Sequence, residues 1–212
     1  MSCGKGRDAS ATASDLVRHL TDVGETVAVA ESLTGGLVAS ALADVPGASA
    51  VLRGGVVAYA ADLKVSLLGV PAALIERVGT VHPDVALTLA DGARTRLGAT
   101  WGLSTTGVAG PGPAEGKPAG TVYVAVAGPS GTAVRELWLN GSRADVRRET
   151  VNAVLRLAAQ RLGVPEQSAA PSGERGGTVD LFDVRPDDLG PPAEPAGDER
   201  TEGGSHDHAA TT

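Results

Sequence analysis

Residues 26–36, Thr-Val-Ala-Val-Ala-Glu-Ser-Leu-Thr-Gly-Gly, constrain this chain more than any other stretch. The first five are small, apolar and partly β-branched, which suits a short strand buried on both faces of a sheet. Glu31-Ser32-Leu33-Thr34-Gly35-Gly36 then sets an acid, two hydroxyls and two glycines ahead of Leu37-Val38-Ala39-Ser40-Ala41-Leu42, which reads as a helix packed on that sheet. A strand, a glycine turn and a helix start leave backbone N–H groups pointing outward at the positive end of the helix dipole. Such a turn can hold an anion or present a nucleophile. A phosphate-binding P-loop is excluded, because Gly35-Gly36 is not followed by Gly-Lys-Ser/Thr.

The other elements follow from period and punctuation. Residues 8–23 predict an amphipathic helix with Leu16, Val17, Leu20 and Val23 on one side, closed by Gly24. Val51–Ala60, containing Gly54-Gly55-Val56-Val57-Ala58-Tyr59, predicts a second buried strand whose glycines suggest a bulge. Helices are expected over 62–68 and 71–78, and from His82-Pro83-Asp84 to about Leu97. Residues 100–106 read as a strand leading into a glycine- and proline-rich loop at 107–120, and 121–127 with 132–139 as a hairpin around Gly128-Pro129-Ser130-Gly131. Ser142 and Asp145 have capping-box spacing at the start of a last helix to about Leu162. Strands mixed with helices imply an α/β class, a layered α/β/α sandwich on a mixed, partly antiparallel sheet.

Charge divides the chain in two. The net charge of −7 over 212 residues arises from residues 166–212, where eleven acids stand against three arginines. The body is near neutral, which permits a small anionic substrate and argues against a nucleic-acid surface. The organisation expected is a flexible start over 1–9, one domain over 10–165 and an acidic, mostly disordered tail over 166–212. Within that tail Thr178–Val184 is an apolar interruption that suits docking, and His206-Asp207-His208 reads as solvated rather than metal-binding. The single cysteine, Cys3, excludes a disulfide framework and a cysteine-rich metal site. No metal and no cofactor are expected. Neither a signal-like apolar start nor an apolar stretch of membrane-spanning length is present, so a cytoplasmic protein that does not engage a membrane is expected.

Five motifs in order resemble the CinA C-terminal domain family: Ala30-Glu31-Ser32-Leu33-Thr34-Gly35-Gly36; Gly54-Gly55-Val56-Val57-Ala58-Tyr59 followed by Lys64; Thr105-Thr106-Gly107-Val108-Ala109-Gly110-Pro111; Lys117-Pro118-Ala119-Gly120-Thr121-Val122; and Gly141-Ser142-Arg143. The resemblance covers about residues 10–163, in the manner of the stand-alone form. It implies an α/β fold, a homo-oligomer such as a dimer, and hydrolysis of the carboxamide of nicotinamide mononucleotide to the acid and ammonia in pyridine nucleotide salvage. The chain departs from the family at Tyr59-Ala60-Ala61-Asp62, where Ser/Thr-Asn commonly follows the tyrosine. It departs again at Gly79-Thr80-Val81-His82, where Gly-Ala-Val-Ser is common.

Amide hydrolysis needs a nucleophile, a base, donors for an oxyanion and an acid for departing ammonia. The body holds only His19 and His82, so a serine activated by lysine fits better than a histidine triad. The resemblance makes Ser32 the nucleophile and Lys64 the base; without it, Ser32 reads as a helix cap and Lys64 as a solvated helix lysine. An ordinary lysine titrates near ~10.4, so burial must bring Lys64 down. Tyr59 either orients this pair through its hydroxyl or fills the core. Thr105 and Thr106 either turn hydroxyls toward Ser32 or are ordinary strand threonines. Glu31 either backs the substrate site or satisfies the turn's own N–H groups. Thr34, Gly35 and Gly36 are candidate oxyanion donors, Gly107 and Gly110 line the nucleotide or only turn the chain, and Arg143 binds phosphate or lies on the helix surface. A non-catalytic nucleotide-binding module with a partner-recruiting tail, and an amidase for another small amide, are the alternatives.

Overall fold

The computed structural model describes residues 9–164 and the strand 178–184. Six strands form one sheet in the order β2-β1-β3-β4-β5-β6: β1 Val27–Glu31, β2 Leu52–Val57, β3 Trp101–Gly107, β4 Thr121–Gly128, β5 Gly131–Trp138 and β6 Thr178–Val184. Strand β1 runs parallel to β2 and β3, and the pairs from β3 to β6 are antiparallel. Helices α1 (Ala9–Val23), α2 (Leu37–Ala43) and α6 (Arg143–Arg161) cover one face, while α3 (Ala61–Leu68), α4 (Ala72–Val78) and α5 (Pro83–Arg96) lie on the other. The layered α/β/α arrangement on a mixed sheet is therefore as the sequence implies.

Alternation along the strands separates two unlike cores. Val27, Val29, Leu103, Val122, Val124 and Val126 meet Leu16, Leu20, Val38, Leu42, Val154 and Leu155 on the face of α1, α2 and α6. The opposite face presents Ala28 and Ala30 to Leu68, Val85, Leu89 and Ala93, and Ala125 and Ala127 to Ala86 and Ala90. Small residues there let α5 approach the sheet closely. A Cβ at Gly102 in β3 would lie 2.0 Å from the Ala90 carbonyl oxygen, so no larger residue fits without moving helix or strand.

Strand β2 is not the buried strand expected from 51–60. It is the sheet's edge, and its residues alternate between partly buried and exposed. The expected irregularity is present: the register with β1 shifts between Val27↔Leu52 and Ala28↔Gly54, leaving Arg53 as the extra residue. At the other edge, Thr178–Val184 pairs its backbone with β5 as β6. The remaining tail, His206 to His208 included, and the start with Cys3 lie outside the described residues. Among the described residues no helix is long and apolar enough to cross a membrane.

Strand β1 is where the connections diverge. The chain leaves it through α2 to reach β2 on one side, then returns through α3, α4 and α5 to β3 on its other side. In open parallel sheets the carboxyl ends of strands at such a reversal border a crevice, because the two connections leave on opposite faces and nothing closes the gap. Ser32, Ala58 and Thr105–Gly107 all lie at those carboxyl ends. Gly102→Ala should unfold at lower urea, with a stability loss of about 3 kcal/mol from overpacking at α5, measured by equilibrium denaturation.

Candidate functional site

The turn after β1 is built by its own acid. The Glu31 carboxylate, 2% exposed, accepts from the N–H groups of Gly36 at 2.9 Å and Val38 at 3.1 Å through Oε2, and of Ala39 at 2.8 Å through Oε1. These are the orphan donors of α2, whose N-cap residue Gly36 supplies no side-chain cap. A buried carboxylate held by three amides at a helix N-terminus is compensated by both the hydrogen bonds and the dipole. Of the two readings of Glu31, the structure favours the one in which it satisfies the turn, and its oxygens are spent there rather than facing a substrate. The Ser32 hydroxyl is thereby released from capping.

Ser32 itself is fixed by its backbone. Its N–H donates to the Thr105 carbonyl at 3.1 Å, and its carbonyl accepts from Gly35 N–H at 3.1 Å. Gly35 and Gly36 have φ of +60° and +97°, the left-handed conformation that glycine adopts most cheaply. The N–H groups of Gly35 and Gly36, expected as oxyanion donors, are thus both engaged within the turn. Those of Leu33 and Thr34 have no acceptor among the described residues. The Thr34 and Thr105 hydroxyls lie 2.8 Å apart. Arg147 of α6 clamps the same turn, donating through Nε to the Leu33 carbonyl at 3.0 Å and through Nη2 to that of Thr34 at 2.7 Å.

Lys64 lies on α3, 1% exposed, and its ammonium reaches back to the turn. Nζ is 3.2 Å from Ser32 Oγ and donates to the carbonyls of Ala58 at 2.7 Å and Tyr59 at 3.1 Å. Burial lowers its pKa below the ordinary lysine value, against the opposing negative charge of Glu115. A neutral amine has two hydrogens and one lone pair. With both hydrogens on the two carbonyls, the lone pair is left for the Ser32 hydroxyl.

The other candidates are distributed around this pair. The Thr105 oxygens stay at the serine turn, but Thr106 does not join them: strand alternation turns its hydroxyl to the opposite face, where it donates to the Thr80 carbonyl at 2.8 Å. Tyr59 neither fills the core nor touches Ser32 or Lys64 with its ring oxygen. It is 57% exposed, and its hydroxyl accepts from Arg143 Nη2 at 2.7 Å, while only its carbonyl serves Lys64. Arg143, first residue of α6, also donates through Nη1 to the Gly110 carbonyl at 2.9 Å, so it joins the glycine loop to Tyr59. Its neighbour Ser142 caps α6 in a complete capping box with Asp145. Gly107 is needed sterically, since a Cβ there would lie 2.7 Å from the Thr121 carbonyl oxygen. Two residues of the site, Arg147 and Glu115, were not singled out from the sequence. Arg147 stands one helical turn after Arg143, and that i, i+4 spacing was the available signal. Glu115 carried none, because its partners are about 35 positions away in the chain.

Residues 9–162 match the CinA C-terminal domain family. The chain belongs to that family. It is 49% identical over 150 residues to a CinA-like protein of Frankia casuarinae, covering 70% of this chain and 35% of that one. It is 50% identical over 139 residues to a putative competence-damage inducible protein of Desulforamulus reducens, covering 66% and 34%. The chain thus spans about a third of the length of the curated relatives it matches. Among solved structures it resembles the competence/damage inducible protein CihA of Agrobacterium tumefaciens, with a TM-score of 0.71, 34% identity and coverage of 77% of this chain and 99% of that one. A competence or damage-inducible protein of Enterobacter asburiae gives 0.72, 27%, 74% and 99%.

The two segments where the sequence departs from the motifs it resembles fall at helix starts in the structure. Ala60 occupies the N-cap of α3 with no side-chain cap, and His82 caps α5 by accepting from Asp84 N–H at 3.2 Å. The contacts of Lys64 go to Ser32 and to the carbonyls of Ala58 and Tyr59, and neither Ala60 nor His82 is among them. Glu31→Ala should cost about 3 kcal/mol or more in urea unfolding, because three amides lose a charged acceptor at once.

Proposed function

We propose that this domain hydrolyses the carboxamide of nicotinamide mononucleotide to the acid and ammonia, with Ser32 as nucleophile and Lys64 as base. The observation that carries the reading is the buried Lys64 Nζ, 3.2 Å from Ser32 Oγ, with two backbone carbonyls taking its hydrogens. Neutral Lys64 takes the hydroxyl proton as Ser32 Oγ attacks the amide carbon. The tetrahedral oxyanion is assigned to the N–H groups of Leu33 and Thr34, which the turn leaves without an internal acceptor. The Lys64 ammonium returns the proton to the departing nitrogen as ammonia leaves. Water, deprotonated by the same amine, then attacks the acyl-serine ester, releasing the acid and restoring the hydroxyl. Glu31, Arg147 and Thr105 support the turn that carries Ser32, and no cofactor enters the scheme.

Arg143 is assigned to the phosphate. Its recorded bonds go to a phenol and a carbonyl, both neutral, so the positive charge has no carboxylate partner among the described residues. A nucleotide lying along Gly107–Gly110 would bring its phosphate to that guanidinium. Formation of a homo-oligomer belongs to the same reading and is supported by the resemblance alone.

Ammonia release from nicotinamide mononucleotide should fall about a thousandfold or more in Ser32→Ala and in Lys64→Met, with the fold retained by circular dichroism. A Lys64→Met protein that still works would remove the base. Because the amine must be neutral to act and burial lowers its pKa, kcat/KM should rise with pH through a midpoint below the ordinary lysine value. Arg143→Ala should raise KM about 10- to 100-fold for the phosphorylated substrate and leave its nucleoside unchanged. Equal losses for both would withdraw the phosphate assignment. A panel of other small amides separates this substrate from the wider amidase alternative.

A further inference from the structure

The serine turn has three carbonyls in a row, and each is held differently. That of Ser32 accepts from Gly35 N–H at 3.1 Å, and that of Thr34 from Leu37 N–H at 3.4 Å as well as from Arg147 Nη2 at 2.7 Å. The Leu33 carbonyl between them has one recorded donor, Arg147 Nε at 3.0 Å. In a trans peptide the C=O and the N–H that follows it point in opposite directions. A guanidinium that fixes the Leu33 carbonyl therefore fixes the Thr34 N–H on the side away from itself. Gly35 does the same for the Leu33 N–H through the Ser32 carbonyl. Leu33 and Thr34 are 3% and 0% exposed, and neither N–H has an acceptor among the described residues. Buried amides in that condition are rare in folded proteins and mark places that a bound group completes.

Arg147 is delivered to the turn by α6. Ser142 and Asp145 fix the start of that helix with a capping box, and Val146 and Thr150 are buried on either side of the arginine in sequence. The guanidinium packs against Gly35, where a Cβ would lie 3.3 Å from Nη2. The acids nearby are engaged elsewhere: Glu31 with the α2 amides, Asp145 with Ser142 and Arg148, and Glu149 with Asn152. Both recorded bonds of Arg147 go to peptide carbonyls. A guanidinium is planar and stays charged, so it sets two donors at once from a single rigid group. Resting that charge on the carbonyl of a peptide polarises it, and its N–H becomes the stronger donor.

The geometry points to Arg147 as a positioning residue for the tetrahedral intermediate: by holding the Leu33 carbonyl, it aims the Thr34 N–H at the oxyanion that forms when Ser32 Oγ attacks. The inference rests on the amide-hydrolysis reading of Ser32 and Lys64. Arg147 acts through the peptide and touches neither the substrate nor the reacting atoms. Arg143, one helical turn earlier, is turned instead to Gly110 and Tyr59. The two arginines thus divide the work, Arg143 serving affinity for the phosphate and Arg147 serving rate. An interaction realised only in the transition state lowers kcat when it is lost and leaves KM in place.

The test compares the full chain with Arg147→Ala and Arg147→Lys. In Arg147→Ala, kcat for ammonia release from nicotinamide mononucleotide should fall about 100-fold with KM within about threefold, the scale of losing one oxyanion donor. Arg147→Lys keeps a charged donor for one carbonyl and should recover about tenfold of that loss. A brace for folding alone would lower the urea midpoint and leave kcat per folded molecule unchanged, which overturns the inference. A loss confined to KM overturns it as well. The second measurement needs no turnover and uses 3-pyridylboronic acid. Ser32 Oγ adds to its trigonal boron and the hydroxyl proton passes to Lys64, which sets a tetrahedral borate oxygen where the oxyanion would form. Its Kd, followed by boron NMR, should rise about 100-fold in Arg147→Ala, and an unchanged Kd overturns the inference. Should Arg147→Ala not fold, Arg147→Lys should still lose about tenfold in kcat and in borate affinity, and wild-type values for both overturn it. A weakened borate in a protein that releases no ammonia rejects the nicotinamide mononucleotide reading and leaves the positioning role standing.

Discussion

The site depends on the three amides that close on Glu31. A helix start normally takes its cap from a serine or threonine in the turn, and Ser32 and Thr34 are both available for that work. The preceding acid occupies the α2 amides first, and a carboxylate binds N–H groups more strongly than a hydroxyl does. Everything nearby inherits this choice. Gly35 and Gly36 adopt positive φ so that their chain can wrap the acid, the Leu33 and Thr34 carbonyls turn out to Arg147, and Ser32 keeps a hydroxyl with no structural duty.

Burying a lysine next to that hydroxyl has a cost that the fold offsets locally. Removing an ammonium from water is unfavourable, and the neutral form is favoured as a result. The edge position of β2 is what makes relief available. Its ladder with β1 ends where Ala58 N–H donates to the Glu31 carbonyl at 2.9 Å, and the carbonyls of Ala58 and Tyr59 beyond that point accept from Nζ. A central strand would have spent them on its ladder.

Much of this was legible in order along the chain. The strand, glycine turn and helix at 26–43, the β4–β5 hairpin and the Ser142 capping box are local patterns, and they stand as expected. The edge placement of β2 was not legible: Val56 and Val57 beside two glycines suit an edge or a centre equally, and only the strand order separates the two. Thr178–Val184 is too short to form a core, yet it completes a sheet because β5 has an open edge for it to pair with. Thr105 and Thr106 look alike in sequence, and the pleat sends one hydroxyl to the serine turn and the other to Thr80.

The sequence by itself determined which chemistry the chain can carry: a serine on a glycine turn, one lysine in its body outside the glycine loop, no histidine placed to form a triad and a near-neutral domain ahead of an acidic tail. Those are properties of residue types and short spacings. Tertiary structure alone decided that Lys64 meets Ser32 across 32 positions, that Arg147 reaches back 114 to Leu33, and that Glu115 settles 35 positions away on Thr80. Contacts of that separation arise only when strand order and packing are set, because nothing in the local chain favours them over any other pairing.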